Sequence, residues 1–343
     1  SGEVQNSPVW CVCFFMASFS LRENHIDTPQ QSSNKHHIAV MMSSNNAFCF
    51  FLVLILCFLF FSVKANSPPN HNEASKNSKS FSSKVQPYNP TVHAPIKISN
   101  VSVSGISGGG FFATQVHVAF SKSTIGAGVV AGGPYLCAQG RLDVARSTCM
   151  QGTPSVPVDI YVKETMNMVA RGAIDDAKVH LRNQRVYLFS GTKDSVVKQS
   201  VMVLLLEYYA HFINDTVSRD LIRAVFDVPA EHAMVTVDYG NECTYLGSPY
   251  INQCSTRTSV AQDILLHLNP GFKKADSSGS WDETSLFEFD QRQFLGSSYG
   301  LANKGYVYIP KACQVGSSSS PTVASSCALH VNFHGCLQGA HYL

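Results

Sequence analysis

Residues Gly105-Ile106-Ser107-Gly108-Gly109 carry the pattern G-x-S-x-G. Such a serine can stand on a sharp strand-to-helix turn with its hydroxyl exposed, and the glycines leave room where a side chain would strike the strand or the helix. The pattern alone arises easily by chance in a Gly-rich chain. Its surroundings give it weight. "VSVSG" alternates as a strand does and leads in, and "GFFATQVHVAF" leads out as a helix. The competing reading is a Gly-Ser loop at a helix N-terminus, holding a phosphate, but no lysine completes a G-x-x-x-x-G-K loop.

A nucleophilic serine needs a base, and the base needs an orienting acid. In hydrolases built on this turn the chain order is Ser, then Asp or Glu, then His. "RVYLFSGTKDSVV" puts Asp194 in a loop after a strand, and "VFDVPAEHAM" puts His232 in a later one. Asp175, Asp176 and Asp220 read instead as solvated surface charges. His117, His180, His211 and His267 fall on helix-like stretches and read as packing residues. The reaction also needs two main-chain N–H groups aimed at the oxyanion, and losing one costs about 3 kcal/mol of transition-state stabilisation. Gly108, directly after the serine, supplies one. The other comes from a His-Gly loop after a core strand. Here that signature is "LHVNFHGCLQG", ending in His334 to Gly339, and it follows the other groups instead of preceding them.

The elements that must position these groups alternate from Lys97 onward. Strand candidates "KISNVSVSG", "IGAGVVAGGPY", "RVYLFSGTKD" and "RAVFDVPAEHA" are separated by helix candidates "GFFATQVHVAFSK", "DIYVKETMNMVARGA" and "VKQSVMVLLLEYYAHFI". This alternation predicts an α/β fold with a mainly parallel sheet and helices on both faces. After His232 come a loop-rich, Cys-bounded stretch, the helix "SVAQDILLHLNPG", and three strand candidates in a row: "LFEFDQRQF", "GYVYIP" and "CALHVNFHG". Consecutive strands predict an antiparallel edge on the same sheet.

The chain has 343 residues, 45% hydrophobic and 14% charged, with a formal net charge of +2. It is long enough for a large core, and its charge gives no basis for nucleic-acid binding. Ala47 to Val63 is an uncharged apolar run followed by "VKA", ending at Ala65. With a start at Met41 or Met42 this reads as a signal peptide over 41–65, the alternative being an uncleaved signal anchor. Residues 1–40 are expected to be unstructured, 66–96 to be a disordered linker, and 97–343 to form the catalytic domain. Cleavage would leave a secreted protein with no stable membrane association, expected to be monomeric.

Seven cysteines follow the leader. Six form three short-range candidate disulfides, Cys137 with Cys149, Cys243 with Cys254 and Cys313 with Cys327. No C-x-x-C pair argues for zinc. Asn214, in Asn-Asp-Thr, is the better-placed N-glycosylation candidate.

Together "SVSGISGGGFFATQVHVAFS", "GAGVVAGGPYLCAQG", "VYLFSGTKDSVV", "DYGNECTYLGSPYINQC" and "CALHVNFHGCLQG" resemble secreted poly(3-hydroxybutyrate) depolymerases, in the group whose catalytic domain is a circularly permuted α/β-hydrolase. The resemblance runs from about Lys97 to the C-terminus. It implies Ser107 as nucleophile, Asp194 as orienter, His232 as base, and the amides of Gly108 and Cys336 as the oxyanion hole. A serine often stands in the family where this chain has Gly108. The donor is a main-chain amide, so the exchange is compatible with the role. The implied activity is ester hydrolysis of a short-chain polyhydroxyalkanoate or a smaller ester, with no metal or organic cofactor. The alternatives are a feruloyl or acetylxylan esterase on the same scaffold, and a non-catalytic secreted binding protein that kept the fold. Permutation explains why the oxyanion loop comes last. The family continues where this chain stops, so truncation at Leu343 is expected. The missing strand would lie between "CALHVNFHG" and the early edge strands, and Cys336 could find a disulfide partner in the missing part.

Overall fold

The computed structural model describes residues 12–17, 85–89, 96, 98–213, 220–256, 259–274, 282–294, 302–313 and 327–339. In chain order the strands are β1 (Val12–Ala17), β2 (Gln86–Pro87), β3 (Ile98–Ile106), β4 (Gly126–Val130), β5 (Arg185–Phe189), β6 (Ile222–Val225), β7 (Met234–Thr236), β8 (Asn241–Glu242), β9 (Ile251–Gln253), β10 (Leu286–Asp290), β11 (Lys304–Tyr308) and β12 (Cys327–Phe333). The longer helices are α1 (Gly108–Ala119), α2 (Val158–Ala170), α3 (Gln199–Ala210) and α4 (Val260–Leu268).

Nine strands form one sheet in the order β2-β10-β11-β1-β12-β3-β4-β5-β6, and β7, β9 and β8 form a small second one. In the large sheet β11 runs against both neighbours and every other pairing is parallel. This is the α/β architecture expected from the alternation, with the antiparallel element near one edge.

Register explains the two helical layers. Phe333, Gly105, Val129 and Leu188 form one row across β12, β3, β4 and β5. α1 covers that face, its Phe112 ring edge-on to Phe333 with centroids 4.6 Å apart. The preceding row, Asn332, Ser104, Gly128 and Tyr187, faces the other way. α4 packs there so closely that a Cβ on Gly128 would sit 2.5 Å from Ile264 Cγ2. The Tyr187 hydroxyl donates to Asp263 of the same helix at 3.3 Å.

Two domain expectations need correction. Residues 12–17, expected to lie outside the fold, form β1, parallel to β12 on one side and antiparallel to β11 on the other. "VCFFMA" is uncharged and rich in strand-forming residues, and its position supplies hydrogen bonds to two strand edges at once. That is the slot for which a strand beyond Leu343 was expected. Within 66–96, expected to be a linker, Gln86–Pro87 pairs with β10, and Tyr88 and Ile96 pack against the outer core around Phe287. The proposed signal peptide and Asn214 lie outside the described residues.

All three expected disulfides are present: Cys137–Cys149, Cys243–Cys254 and Cys313–Cys327. Cys336 is in none of them.

Candidate active site

The loops after β3, β5, β6 and β12 all leave the carboxyl end of parallel strands, so they meet at one edge of the sheet. Ligands of open α/β sheets bind at such an edge.

Ser107 joins β3 to α1 with φ 58° and ψ −125°. This left-handed φ is uncommon outside glycine and marks a backbone held by its surroundings. Ser107 N–H donates to the Val130 carbonyl at 2.9 Å, and Phe111 N–H donates to the Ser107 carbonyl at 2.9 Å. The neighbouring glycines are a spatial necessity. A Cβ on Gly105 would collide with the Gly109 backbone, and one on Gly109 with the Phe333 carbonyl at the end of β12. The glycines therefore let the serine turn and β12 lie against each other.

Asp194 and His232 meet beside the cleft that Ser107 and His232 both line. His232 Nδ1 lies 2.8 Å from Asp194 Oδ2, and both residues are buried. A carboxylate can only accept here, so Nδ1 carries the proton and Nε2 keeps a lone pair able to take one from a hydroxyl. The second Asp194 oxygen accepts the N–H groups of Val196 and Val197 at 2.9 and 2.8 Å. Those bonds fix the carboxylate's orientation.

The loop after β12 closes the arrangement. Gly335 lies against the serine turn, where an added Cβ would stand 3.2 Å from Ser107 Cβ. Gln338 pins this loop. Its Oε1 accepts Gly335 N–H at 2.8 Å, and its Nε2 donates to the carbonyls of Pro249 and Tyr250 at 3.1 and 3.2 Å. Ser107, Gly108, His232, Gly335, Cys336 and Gln338 all line one cleft of about 350 Å³. Its remaining wall is mainly apolar, including Phe111, Met150, Val196, Leu246 and Leu337. Such a lining suits a largely aliphatic ligand presented to a few polar groups.

A buried polar chain couples β12 to β3 beneath the site. Ser104 Oγ donates to Asn332 Oδ1 at 2.8 Å, so it must accept from His330 Nε2, also 2.8 Å away. His330 Nδ1 then accepts from Ser102 Oγ at 2.8 Å. One neutral tautomer satisfies every bond. Burial pushes the His330 pKa down to about 4, which keeps the ring neutral at pH 7.

Of the histidines read as packing residues, His211 is instead exposed, 3.6 Å from Asp159, while two others are held in structural surroundings. His117 bonds Tyr209 and Gln184 in the core, and His267 lies 3.1 Å from the Leu221 carbonyl. Sequence reasoning gave no role to Glu231 or Gln338, although both adjoin motifs it singled out. An acid directly before the candidate base, with no cation beside it in the sequence, was the available signal for Glu231.

No family model matches the chain. Over 258 residues it is 40% identical to the poly(3-hydroxybutyrate) depolymerase of Delftia acidovorans, covering 72% of this chain and 49% of that protein. Over 246 residues it is 32% identical to the polyhydroxybutyrate depolymerase of Talaromyces funiculosus, covering 70% of this chain and 66% of that one. The chain thus spans about half the length of the first relative and about two thirds of the second. Among solved structures, it resembles the PHB depolymerase of Penicillium funiculosum with a TM-score of 0.57 and 29% identity, over 71% of each chain. A serine-to-alanine variant of a PHB depolymerase complexed with an R3HB trimer matches with the same score and identity, over 71% of this chain and 72% of that one.

Proposed function

Because this chain belongs to the poly(3-hydroxybutyrate) depolymerase family, we propose that it is a serine esterase that cleaves the ester bonds of poly(3-hydroxybutyrate) or a related short-chain polyhydroxyalkanoate. The observation that carries this reading is the convergence of four loops. Ser107, on its strained turn, shares one apolar cleft with His232, and Asp194 is bonded to that imidazole at 2.8 Å.

In the proposed reaction His232 Nε2 takes the Ser107 proton as the oxygen attacks the ester carbonyl. Asp194 holds the ring and stabilises the imidazolium that forms. The amides of Gly108 and Cys336 receive the oxyanion. Collapse of the tetrahedral intermediate expels the alcohol, which takes the proton back from His232, and leaves an acyl group on Ser107. A water activated by His232 then releases the acid and regenerates the serine. The apolar cleft wall favours the methyl-bearing backbone of a short hydroxyalkanoate. An R3HB trimer bound to the related PHB depolymerase supports the same substrate class. Three disulfides in the described fold support an oxidising, extracellular compartment.

The test is hydrolysis of p-nitrophenyl butyrate and clearing of a polyhydroxybutyrate suspension by the full-length protein, beside its Ser107→Ala variant. Ser107→Ala should lower kcat by at least about 10³-fold without lowering Tm. Equal activity in the two proteins would refute the nucleophile. Release of ferulate from a feruloyl ester without clearing of the polymer would instead assign the feruloyl esterase reaction.

A further inference from the structure

We infer that Glu231 is a positioning residue that clamps the acid loop to the base loop of the proposed triad. The inference rests on the proposed roles of Ser107, Asp194 and His232. Glu231 is buried, and one oxygen of its carboxylate gathers three donors. Ser195 N–H donates to Oε1 at 2.7 Å, Ser195 Oγ–H at 2.9 Å and His232 N–H at 2.9 Å. Ser195 is the residue after the candidate acid, and His232 is the candidate base. A single carboxylate oxygen therefore fixes the main chain of both loops at the point where their side chains must meet.

The surrounding bonds give the clamp a rigid seat. Thr192 N–H reaches the Val228 carbonyl at 2.8 Å and Lys193 N–H reaches the Ala230 carbonyl at 3.1 Å, so the two loops are already zipped up to Glu231. Glu231 N–H donates to the Cys243 carbonyl at 2.9 Å, and Cys243 is tied to Cys254. The clamp is thereby anchored to the disulfide-bounded loop that also forms part of the cleft wall. A carboxylate suits the task. It only accepts, and charge-assisted bonds to N–H and O–H donors are about twice as strong as neutral ones. The Asp194–His232 contact is short and directional, so small shifts of either loop misplace the base relative to Ser107.

The experiment measures kcat, KM and Tm for p-nitrophenyl butyrate hydrolysis in the full-length protein and its Glu231→Ala, Glu231→Gln, Ser195→Ala and Ser107→Ala variants. Glu231→Ala should lower kcat by on the order of 100-fold, as expected for a misplaced base, while KM stays within about twofold. Glu231→Gln keeps an oxygen that accepts the same donors and should recover kcat to within about fivefold of wild type. Ser195→Ala removes one bond of three and should lower kcat by about threefold. Wild-type kcat in Glu231→Ala would overturn the inference. So would a folded Glu231→Gln that is as slow as Glu231→Ala. If Glu231→Ala does not fold, an unchanged kcat in Ser195→Ala overturns it and a fall in kcat at constant KM supports it. Activity that survives Ser107→Ala would sink the nucleophile reading, and this inference with it. Activity that is lost in Ser107→Ala but kept in Glu231→Ala sinks the clamp alone.

Discussion

The two halves of the large sheet are held together differently. From β3 to β6 the strands are sandwiched between helices, and one continuous core runs through Val129, Leu188, Leu205 and Tyr208. Around β10 and β11 a separate cluster of described residues gathers Phe287, Val307, Ile309, Cys313 and Cys327, with Tyr88, Ile96, Phe289 and Leu329 packed against it. There a disulfide and exposed ion pairs supplement it. Lys304 pairs with Glu288 at 2.8 Å and Lys311 with Asp282 at 3.0 Å, both lysines largely in solvent. Such exposed pairs contribute about 0–1 kcal/mol each. The inner half carries the candidate nucleophile, acid and base, where small displacements are costly. The outer half, among the described residues, flanks β12, the strand before the proposed oxyanion loop. Among the described residues, the larger core thus lies under the candidate nucleophile, acid and base.

Truncating the two cores should expose this difference most visibly. Leu205 is fully buried in α3 among inner-core residues and cannot relax outward. Leu205→Ala should cost about 4 kcal/mol, near the upper part of the range for such cavities, and Ile309→Ala, in the smaller cluster, about 2 kcal/mol. Urea unfolding gives both values. Native-state hydrogen exchange sharpens the contrast. Amides of β4 and β5 should exchange only through global unfolding, and those of β10 and β11 through a lower-energy opening. Equal costs at the two sites would refute the comparison.

The next effect concerns what replaces packing in the outer half. Cys313 and Cys327 close a loop of sequence separation 14 and join the segment after β11 to the start of β12. Replacing both by alanine should cost about 3 kcal/mol if the bond acts by restricting the unfolded chain. The loss should appear as faster exchange in β10 and β11, with kcat reduced less than stability because the Ser107 turn rests on the inner core. Removing Cys137 and Cys149, which adjoin the cleft at Cys149, should instead raise KM. The two pairs are therefore expected to separate stability from substrate binding.

Much of the inner half was legible in the sequence, for a physical reason. β4 and β5 are short, largely apolar runs buried on both faces, and the site's turns carry Gly105, Gly109 and Gly191, where any Cβ would meet backbone. Chain order and loop position singled out Ser107, Asp194 and His232 as candidates; Ser107 and His232 line one cleft, and Asp194 is bonded to His232. The outer half was less legible. β1 and β2 pair only because other strands present open edges, and no local pattern announces that. Glu231 and Gln338 escaped because their roles lie in partners far off in sequence: Ser195 for one, Pro249 and Tyr250 for the other.

The seam between the halves gives the smallest effect and the most specific one. His330 on β12 and His117 on α1 are both fully enclosed, and burial lowers each pKa from 6.5 to about 4, with the Gln184 bond partly opposing it at His117. In the unfolded chain both return to about 6.5. Unfolding therefore takes up protons mainly between pH 4 and pH 6.5, so stability is full above that window and falls as pH drops toward 4. Between pH 7 and pH 5 each histidine should remove about 2 kcal/mol. His330→Gln can still bond Ser102 and Ser104 but does not titrate. Its urea-unfolding free energy should lose about 2 kcal/mol less than wild type over that interval. His117→Gln should show the same reduction, because enclosure and not the particular half of the sheet sets the shift. If His330→Gln keeps the wild-type pH dependence while His117→Gln flattens it, the β3–β12 seam admits a charged ring. The neutral Ser102–His330–Ser104–Asn332 chain would then not be what joins β3 to β12 beneath the candidate site.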